Sequence, residues 1–270
     1  MYESHWKFRQ RPFEDGAAPE FYYPSRPHQT ALLKLRYLVE QRKGIGLIVG
    51  EHGLGKSYLT HVLEGEMTLE GSGSFCRLSF PSLTPAGMLA YLAGRLGLDV
   101  SAGDGDHRIL AAIENQLEES HREGNHIVFV IDDAHVLEMA HLHQLRLLLN
   151  LRENGCGDFS IILSGRTELL ARLTRLAALE QRVVVRAALE PLSQEEILPY
   201  LNARLAAAGR EQAVFSEQAC RTLWELSQGI PRRINQLCDL ALLVGYVDEL
   251  QSIGPVEIEA AAQEMLSVAA

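Results

Sequence analysis

No stretch of this chain has the length of a membrane span; its apolar runs, such as Ile127–Ile131, are strand-sized. The opening Met1-Tyr2-Glu3-Ser4-His5-Trp6 lacks the basic start and apolar centre of a secretion signal. Cysteine is scarce. Cys76, Cys156, Cys220 and Cys238 are scattered, with no CxxC spacing, which excludes a disulfide framework and a zinc ribbon. Reduced thiols in a cytoplasmic protein are the expectation. Positive charge is also in deficit: 25 Lys and Arg stand against 35 Asp and Glu, a formal net charge of −10. Salt-driven coating of nucleic acid needs a basic face, so this balance argues against it. Arg204, Arg210, Arg221, Arg232 and Arg233 share the C-terminal region, but acidic residues outnumber them there.

What is present is a complete G-x-x-x-x-G-K-S loop, Gly50-Glu51-His52-Gly53-Leu54-Gly55-Lys56-Ser57. Gly50 and Gly55 have no Cβ, so the backbone can turn in left-handed geometry and approach phosphates closely. Successive N–H groups would form an anion nest at the positive end of the following helix. Lys56 is placed to reach the β- and γ-phosphate oxygens of a nucleoside triphosphate, and Ser57 to ligate Mg2+. Ile45–Val49 reads as a buried strand entering the loop and Tyr58–Glu66 as a helix leaving it.

The remaining pattern alternates. A helix over Leu32–Gln41 precedes that strand, and Ser74–Phe80 reads as a second strand. Helices follow over Thr84–Leu96 and Asp106–His121, with Ser101–Gly105 as a loop between them. Ile127–Ile131 reads as a central parallel strand, Met139–Asn150 as a leucine-striped helix, and Asn154–Gly157 as a turn. Phe159–Leu163 is a further strand, Glu168–Ala178 a helix, and Arg182–Val185 a last short strand. Strands alternating with helices predict a parallel sheet covered on both faces. From Ser193, which opens a capping box with Glu196, only helices follow: Glu217–Ser227, Pro231–Val247 and Pro255–Leu266. The expected organisation is an α/β core over residues 1–190 and a small all-helical lid over 191–270. The aromatic, proline-rich residues 1–30 are expected to pack across the core.

Ile127–Ile131 ends in Asp132-Asp133. Asp132, at the strand's carboxyl end, would hold Mg2+ directly or through water. Asp133 would face the γ-phosphate and orient or deprotonate the attacking water.

Taken in order, GEHGLGKS, VFVIDDAH, IILSGRTEL, QRVVVR and GIPRRIN resemble the AAA+ branch of P-loop ATPases. The chain is more closely similar to the ExeA-type ATPases, called general secretion pathway protein A. The resemblance extends over Tyr2, Pro12-Phe13, Phe21-Tyr22 and His28 at the start, and over the segment LRLLLNL at 145–151. It continues through Pro191-Leu192-Ser193, Tyr200, Arg204-Leu205 and Gly209.

The resemblance implies an AAA+ nucleotide core with a helical lid, ATP as substrate and Mg2+ as cofactor. The nucleotide contacts would be the loop from Gly50 to Ser57, Tyr58 after it, His28 near the adenine, and Arg232 in GIPR as a lid arginine sensing the γ-phosphate. Ser164 matches a small polar sensor between water and γ-phosphate. Arg182 is the candidate finger offered to a neighbouring subunit, with Arg175 a competitor. A guanidinium fork neutralises developing phosphoryl charge better than lysine. An ATP-dependent ring or helical homo-oligomer would follow, with a protein partner in a membrane or secretion system and peripheral placement at the inner membrane. DNA is a disfavoured alternative partner, and a nucleotide-binding scaffold with slow turnover is another alternative. The chain departs from the family pattern in having Asp132-Asp133 where Asp-Glu is usual, so hydrolysis is expected to be slower. His135 and Arg166-Thr167 also stand where the family often has Gln and Gln-Pro. The secretion members continue into a membrane helix and a peptidoglycan-binding domain, and the match here is expected to cover their ATPase module.

Overall fold

The computed structural model describes residues 1–268 apart from 15, 17, 70, 72, 80, 81, 154 and 156. Phe80, at the end of the expected second strand, and Asn154 and Cys156 of the expected turn lie outside the described residues. The chain begins with α1 (Glu3–Trp6) and α2 (Arg26–Glu40), followed by β1 (Ile45–Val49), α3 (Lys56–Leu69) and β2 (Ser74–Leu78). Then come α4 (Pro85–Arg95), α5 (Asp106–Arg122), β3 (Ile127–Ile131), α6 (Met139–Glu153) and β4 (Phe159–Gly165). The series ends with α7 (Glu168–Leu173), α8 (Ala177–Glu180), β5 (Val183–Ala188), α9 (Gln194–Ala207), α10 (Glu217–Ser227), α11 (Pro231–Val247) and α12 (Pro255–Val268). Two compact units divide the chain: Pro27–His52 with Lys56–Leu189, and Met1–Arg26 with Gly53–Gly55 and Glu190–Ala270.

The first unit is built on a five-stranded sheet in the order β2-β3-β4-β1-β5, with every neighbouring pair parallel. β1, β3 and β4 are buried at every position. That is why they read as continuous apolar runs: a parallel strand covered on both faces has no solvent side. β2 and β5, at the two edges, alternate. Phe129 and Phe159, on adjacent strands, meet edge to face at 5.7 Å within a core that also takes Leu142, Leu145, Leu148 and Leu149 of α6. The helix expected over Glu168–Ala178 is two helices. Leu176 leaves helical geometry at φ −125 and ψ 71, and this turn returns Leu179 to full burial.

The second unit is helical, with a core of α9, α10, α11 and α12 residues into which Tyr2, Trp6, Phe8 and Phe13 are packed. Residues 1–26 therefore belong with the helical part of the chain, where the sequence suggested the sheet. The reason is apolar area with polar handles. Trp6 is 1% exposed and its indole N–H donates to the Leu242 carbonyl at 2.9 Å. Arg204 donates through Nε to the Pro12 carbonyl at 2.6 Å, with its guanidinium carbon 4.9 Å from the Phe21 ring centre. Phe13 and Phe215 meet edge to face at 5.8 Å, and Tyr23 and Tyr200 at 5.6 Å. The expected capping box is present as an N–H of Ser193 donating to the Glu196 carboxylate at 2.9 Å.

Cys76, Cys220 and Cys238 are buried free thiols, and burial pushes Cys76 and Cys220 up to about 11. Buried thiols with raised pKa are inert. Among the described residues no helix is long and apolar enough to cross a membrane.

Candidate nucleotide site

The sheet order dictates where chemistry can gather. β1 lies between β4 and β5, and in an open parallel sheet ligand groups collect outside the carboxyl ends of the central strands. Three of those ends carry the residues singled out by sequence. β1 runs into the loop beginning at Gly50, whose N–H donates to the Gly165 carbonyl at 3.2 Å. β3 runs into Asp132, whose N–H continues the ladder to the Leu78 carbonyl at 3.0 Å. β4 carries Ser164, in register with Ile48 of β1.

Within the loop, the left-handed residues are Gly53 at φ 85 and Gly55 at φ 88. The turn that sequence reasoning assigned to Gly50 and Gly55 thus involves Gly53, while Gly50 remains tied to the strand end. Lys56 opens α3, and its ammonium group folds back to donate to the Gly50 and Glu51 carbonyls, at 2.8 Å each. Burial holds its pKa below the ordinary lysine value, with the carboxylates of Asp133, Glu51 and Asp132 opposing that shift. A buried cation whose partners are neutral carbonyls is poised to prefer an anionic ligand.

Ser57 and Asp132 come together, the Ser57 hydroxyl lying 3.3 Å from Asp132 Oδ1. Asp132 is 6% exposed. Its second oxygen, Oδ2, accepts from Arg77 Nη1 at 3.0 Å. Hydroxyl and carboxylate are hard oxygen donors, the kind Mg2+ takes, and one carboxylate with a hydroxyl leaves the remaining positions to water and phosphate. Among the described residues no group of three or more His, Cys, Asp or Glu is placed to hold a metal, so a closed all-protein cage is absent. The donor set fits Mg2+ shared with a nucleotide.

Asp133 differs sharply from its neighbour. Its backbone is left-handed at φ 49 and ψ 33, and its side chain is 61% exposed. Its Oδ1 lies 3.8 Å from His135 Nδ1, beyond hydrogen-bond reach. Aspartate tolerates this backbone better than a β-branched residue, and it turns the carboxylate out of the sheet. Gly165 makes room for that turn. A Cβ there would stand 3.0 Å from the His135 nitrogen.

Ser164 is 1% exposed, and among the described residues its Oγ has no hydrogen-bond partner. An orphaned buried hydroxyl costs about 1–3 kcal/mol, which a protein tolerates where a ligand supplies the partner. His135 Nδ1 is also buried without a hydrogen-bond partner. Arg166, where the family often has Gln, is a solvent-facing group 3.3 Å from Glu168 and 3.9 Å from Glu51.

His28 is buried on α2, and Tyr58 is half-buried near the start of α3. Arg232 belongs to the helical unit, is exposed, and its backbone N–H donates to the Gly53 carbonyl of that unit at 3.2 Å. Arg182 immediately precedes β5, at the amino end of the sheet, and so stands apart from Lys56, Asp132 and Ser164. It is held by α6, donating to the Arg146 carbonyl at 3.0 Å, Asn150 Oδ1 at 2.8 Å and Glu153 at 2.7 Å. The two segments LRLLLNL and QRVVVR therefore meet through this one guanidinium.

The residue missed by sequence reasoning is Arg77. The alternation of β2 marked it as a strand position, but only the pairing of β2 with β3 brings it to Asp132.

Residues 39–173 match the family model described as AAA domain. The chain is 32% identical over 270 residues to the general secretion pathway protein A of Aeromonas hydrophila, covering 99% of this chain and 49% of that protein. The chain thus spans about half the length of the curated relative it matches. Among solved structures it is similar to the ORC2 protein of Aeropyrum pernix in ADPNP and ADP complexes, with a TM-score of 0.73 and 14% identity. That match covers 94% of this chain and 71% of that one. It is likewise similar to the ORC1 protein of Aeropyrum pernix in complex with DNA, with a TM-score of 0.67 and 16% identity, over 96% of this chain and 70% of that one. At such identities the likeness is one of fold.

Proposed function

The chain belongs to the AAA domain family, and from that premise we propose that it hydrolyses ATP with Mg2+ by in-line attack of water on the γ-phosphate. One observation carries the reading: Lys56, the Ser57–Asp132 pair, Asp133 and the orphaned Ser164 hydroxyl stand at the carboxyl ends of three adjacent strands.

Each residue has a distinct task. The loop amides and Lys56 bind the phosphates, Lys56 exchanging its carbonyl partners for phosphate oxygens. Ser57 and Asp132 would hold Mg2+, which neutralises charge on the phosphates when bound. Asp133, facing outward, orients the water and takes its proton. Ser164 offers its hydroxyl between water and γ-phosphate. His28 is assigned to the adenine side, and Arg232 to sensing the γ-phosphate from the lid. Arg182 serves as the finger for a neighbouring subunit in an ATP-dependent homo-oligomer. Its contacts with α6 support this by holding the guanidinium in one geometry before any neighbour arrives.

The similarity to general secretion pathway protein A supports a role as an assembly or energising ATPase of an envelope secretion or pilus-type system. Such a protein would engage the inner membrane through a protein partner.

The deciding experiment is phosphate release by the wild type and by Asp133→Glu. The added methylene brings the carboxylate closer to the water, so Asp133→Glu is expected to be at least as active as the wild type. An inactive Asp133→Glu that still binds ATP would overturn the role given to Asp133. A DNA-associated switch is the second reading, favoured by the fold shared with a DNA-bound ORC1 protein and opposed by the net charge of −10. An ATP-dependent, salt-sensitive mobility shift of duplex DNA would replace the first reading with the second.

A further inference from the structure

We propose that Arg77 is a positioning residue that fixes both members of the Ser57–Asp132 pair, an inference that rests on reading this pair as the Mg2+ end of the nucleotide site. The guanidinium makes three contacts. Nη1 donates to Asp132 Oδ2 at 3.0 Å and to Thr60 Oγ1 at 2.7 Å, and Nη2 donates to Glu64 at 2.9 Å. The Thr60 hydroxyl in turn donates to the Ser57 carbonyl at 2.8 Å. Arg77 thus grips Asp132 directly and the backbone of Ser57 through one hydroxyl, joining β2 and the end of β3 to the first turns of α3.

The consequence is orientation. With Oδ2 taken by Arg77, the carboxylate is left with Oδ1 directed at the Ser57 hydroxyl. A carboxylate held by one oxygen presents the other in a fixed direction, which a metal ligand requires. The fork geometry matters as well. One planar guanidinium reaches Asp132, Thr60 and Glu64 together, and an ammonium group, as a point charge, does not reproduce that. Glu64 offsets the added positive charge beside the cation site. The side chains of Arg77 and Asp132 are 12% and 9% exposed, so their contact is shielded from solvent.

The test measures affinity for a fluorescent ADP analogue with Mg2+ and with chelator, in the wild type, Arg77→Lys and Thr60→Val. Neither substitution changes net charge, so position is separated from electrostatics. In Arg77→Lys the Mg2+-dependent gain in affinity is expected to fall about tenfold, with the metal-free affinity unchanged. In Thr60→Val, which removes the hydroxyl that accepts from Arg77 and donates to the Ser57 carbonyl but leaves the Arg77–Asp132 contact, the gain falls a few-fold. A wild-type gain in Arg77→Lys, or an equal loss with and without Mg2+, would overturn the positioning role. Should Arg77→Lys fail to fold, Thr60→Val decides by the same criterion. Absence of nucleotide binding by the wild type would instead refute the site reading beneath it.

Discussion

Strand β4 carries two fully buried serines, one toward each end of the sheet, and the two ends treat them oppositely. Ser160, near the amino end, donates to the Lys43 carbonyl at 2.5 Å and pairs with His126 Nε2 at 2.9 Å. Ser164, four residues on, has no hydrogen-bond partner among the described residues. Their surroundings repeat the contrast. At the amino end Arg152 is bonded to Asp158 and to the Arg42 and Phe159 carbonyls. At the carboxyl end Lys56 donates to the Gly50 and Glu51 carbonyls and Asp133 faces solvent. Ser160 and Arg152 at one end of the sheet hold the scaffold together, and Ser164, Lys56 and Asp133 at the other are left with capacity for a ligand.

The largest effect should come from Lys56→Ala. It removes the buried cation of the carboxyl end and is expected to weaken ATP binding by about two orders of magnitude, read by titration with a fluorescent ATP analogue. Retained affinity would break the comparison at its strongest point. Next comes acid. Burial pushes His126 down to about 4 from an ordinary value near 6.5, with Asp158 opposing and Arg42 and Arg152 reinforcing the shift. The unfolded chain therefore binds a proton that the folded one refuses between those values. The stability is complete above pH 6.5 and falls by roughly 3 kcal/mol as pH drops to about 4. Urea unfolding should show this acid limb, and His126→Gln should flatten it. The serines give the finest distinction. Ser160→Ala takes away the hydroxyl that serves the Lys43 carbonyl and His126 Nε2 and should cost about 1–3 kcal/mol. Ser164→Ala removes an unpaired hydroxyl and should change stability by less than about 0.5 kcal/mol while lowering turnover about tenfold. Equal destabilisation by the two substitutions would erase the contrast.

Much of the fold was legible because its signals are local. β1 and β3 fall on their expected residues, as do α10 and α11, since continuous apolar runs and helical stripes with Ser216 or Pro231 at the start need no distant partner to be read. The phosphate loop and Asp132 were legible for a related reason, each lying at or beyond the carboxyl end of a recognisable strand, whereas Ser164 came from the family resemblance. What escaped was whatever depends on pairing. Residues 1–26 carry no period, and their place among α9–α12 is set by where their aromatic rings find apolar partners. Arg77 is one alternating position among several until β2 lies beside β3.

The sequence by itself determined the alternation of strand and helix, the phosphate loop from Gly50 to Ser57, and the acidic pair after β3, because backbone preference and burial act over a few residues. Tertiary structure alone decided which of two adjacent aspartates is buried against Ser57 and Arg77 and which faces water, and which of two serines on one strand keeps an unspent hydroxyl. Those outcomes depend on the order of strands in the sheet, and hydrogen-bond capacity is settled only when distant residues arrive within reach.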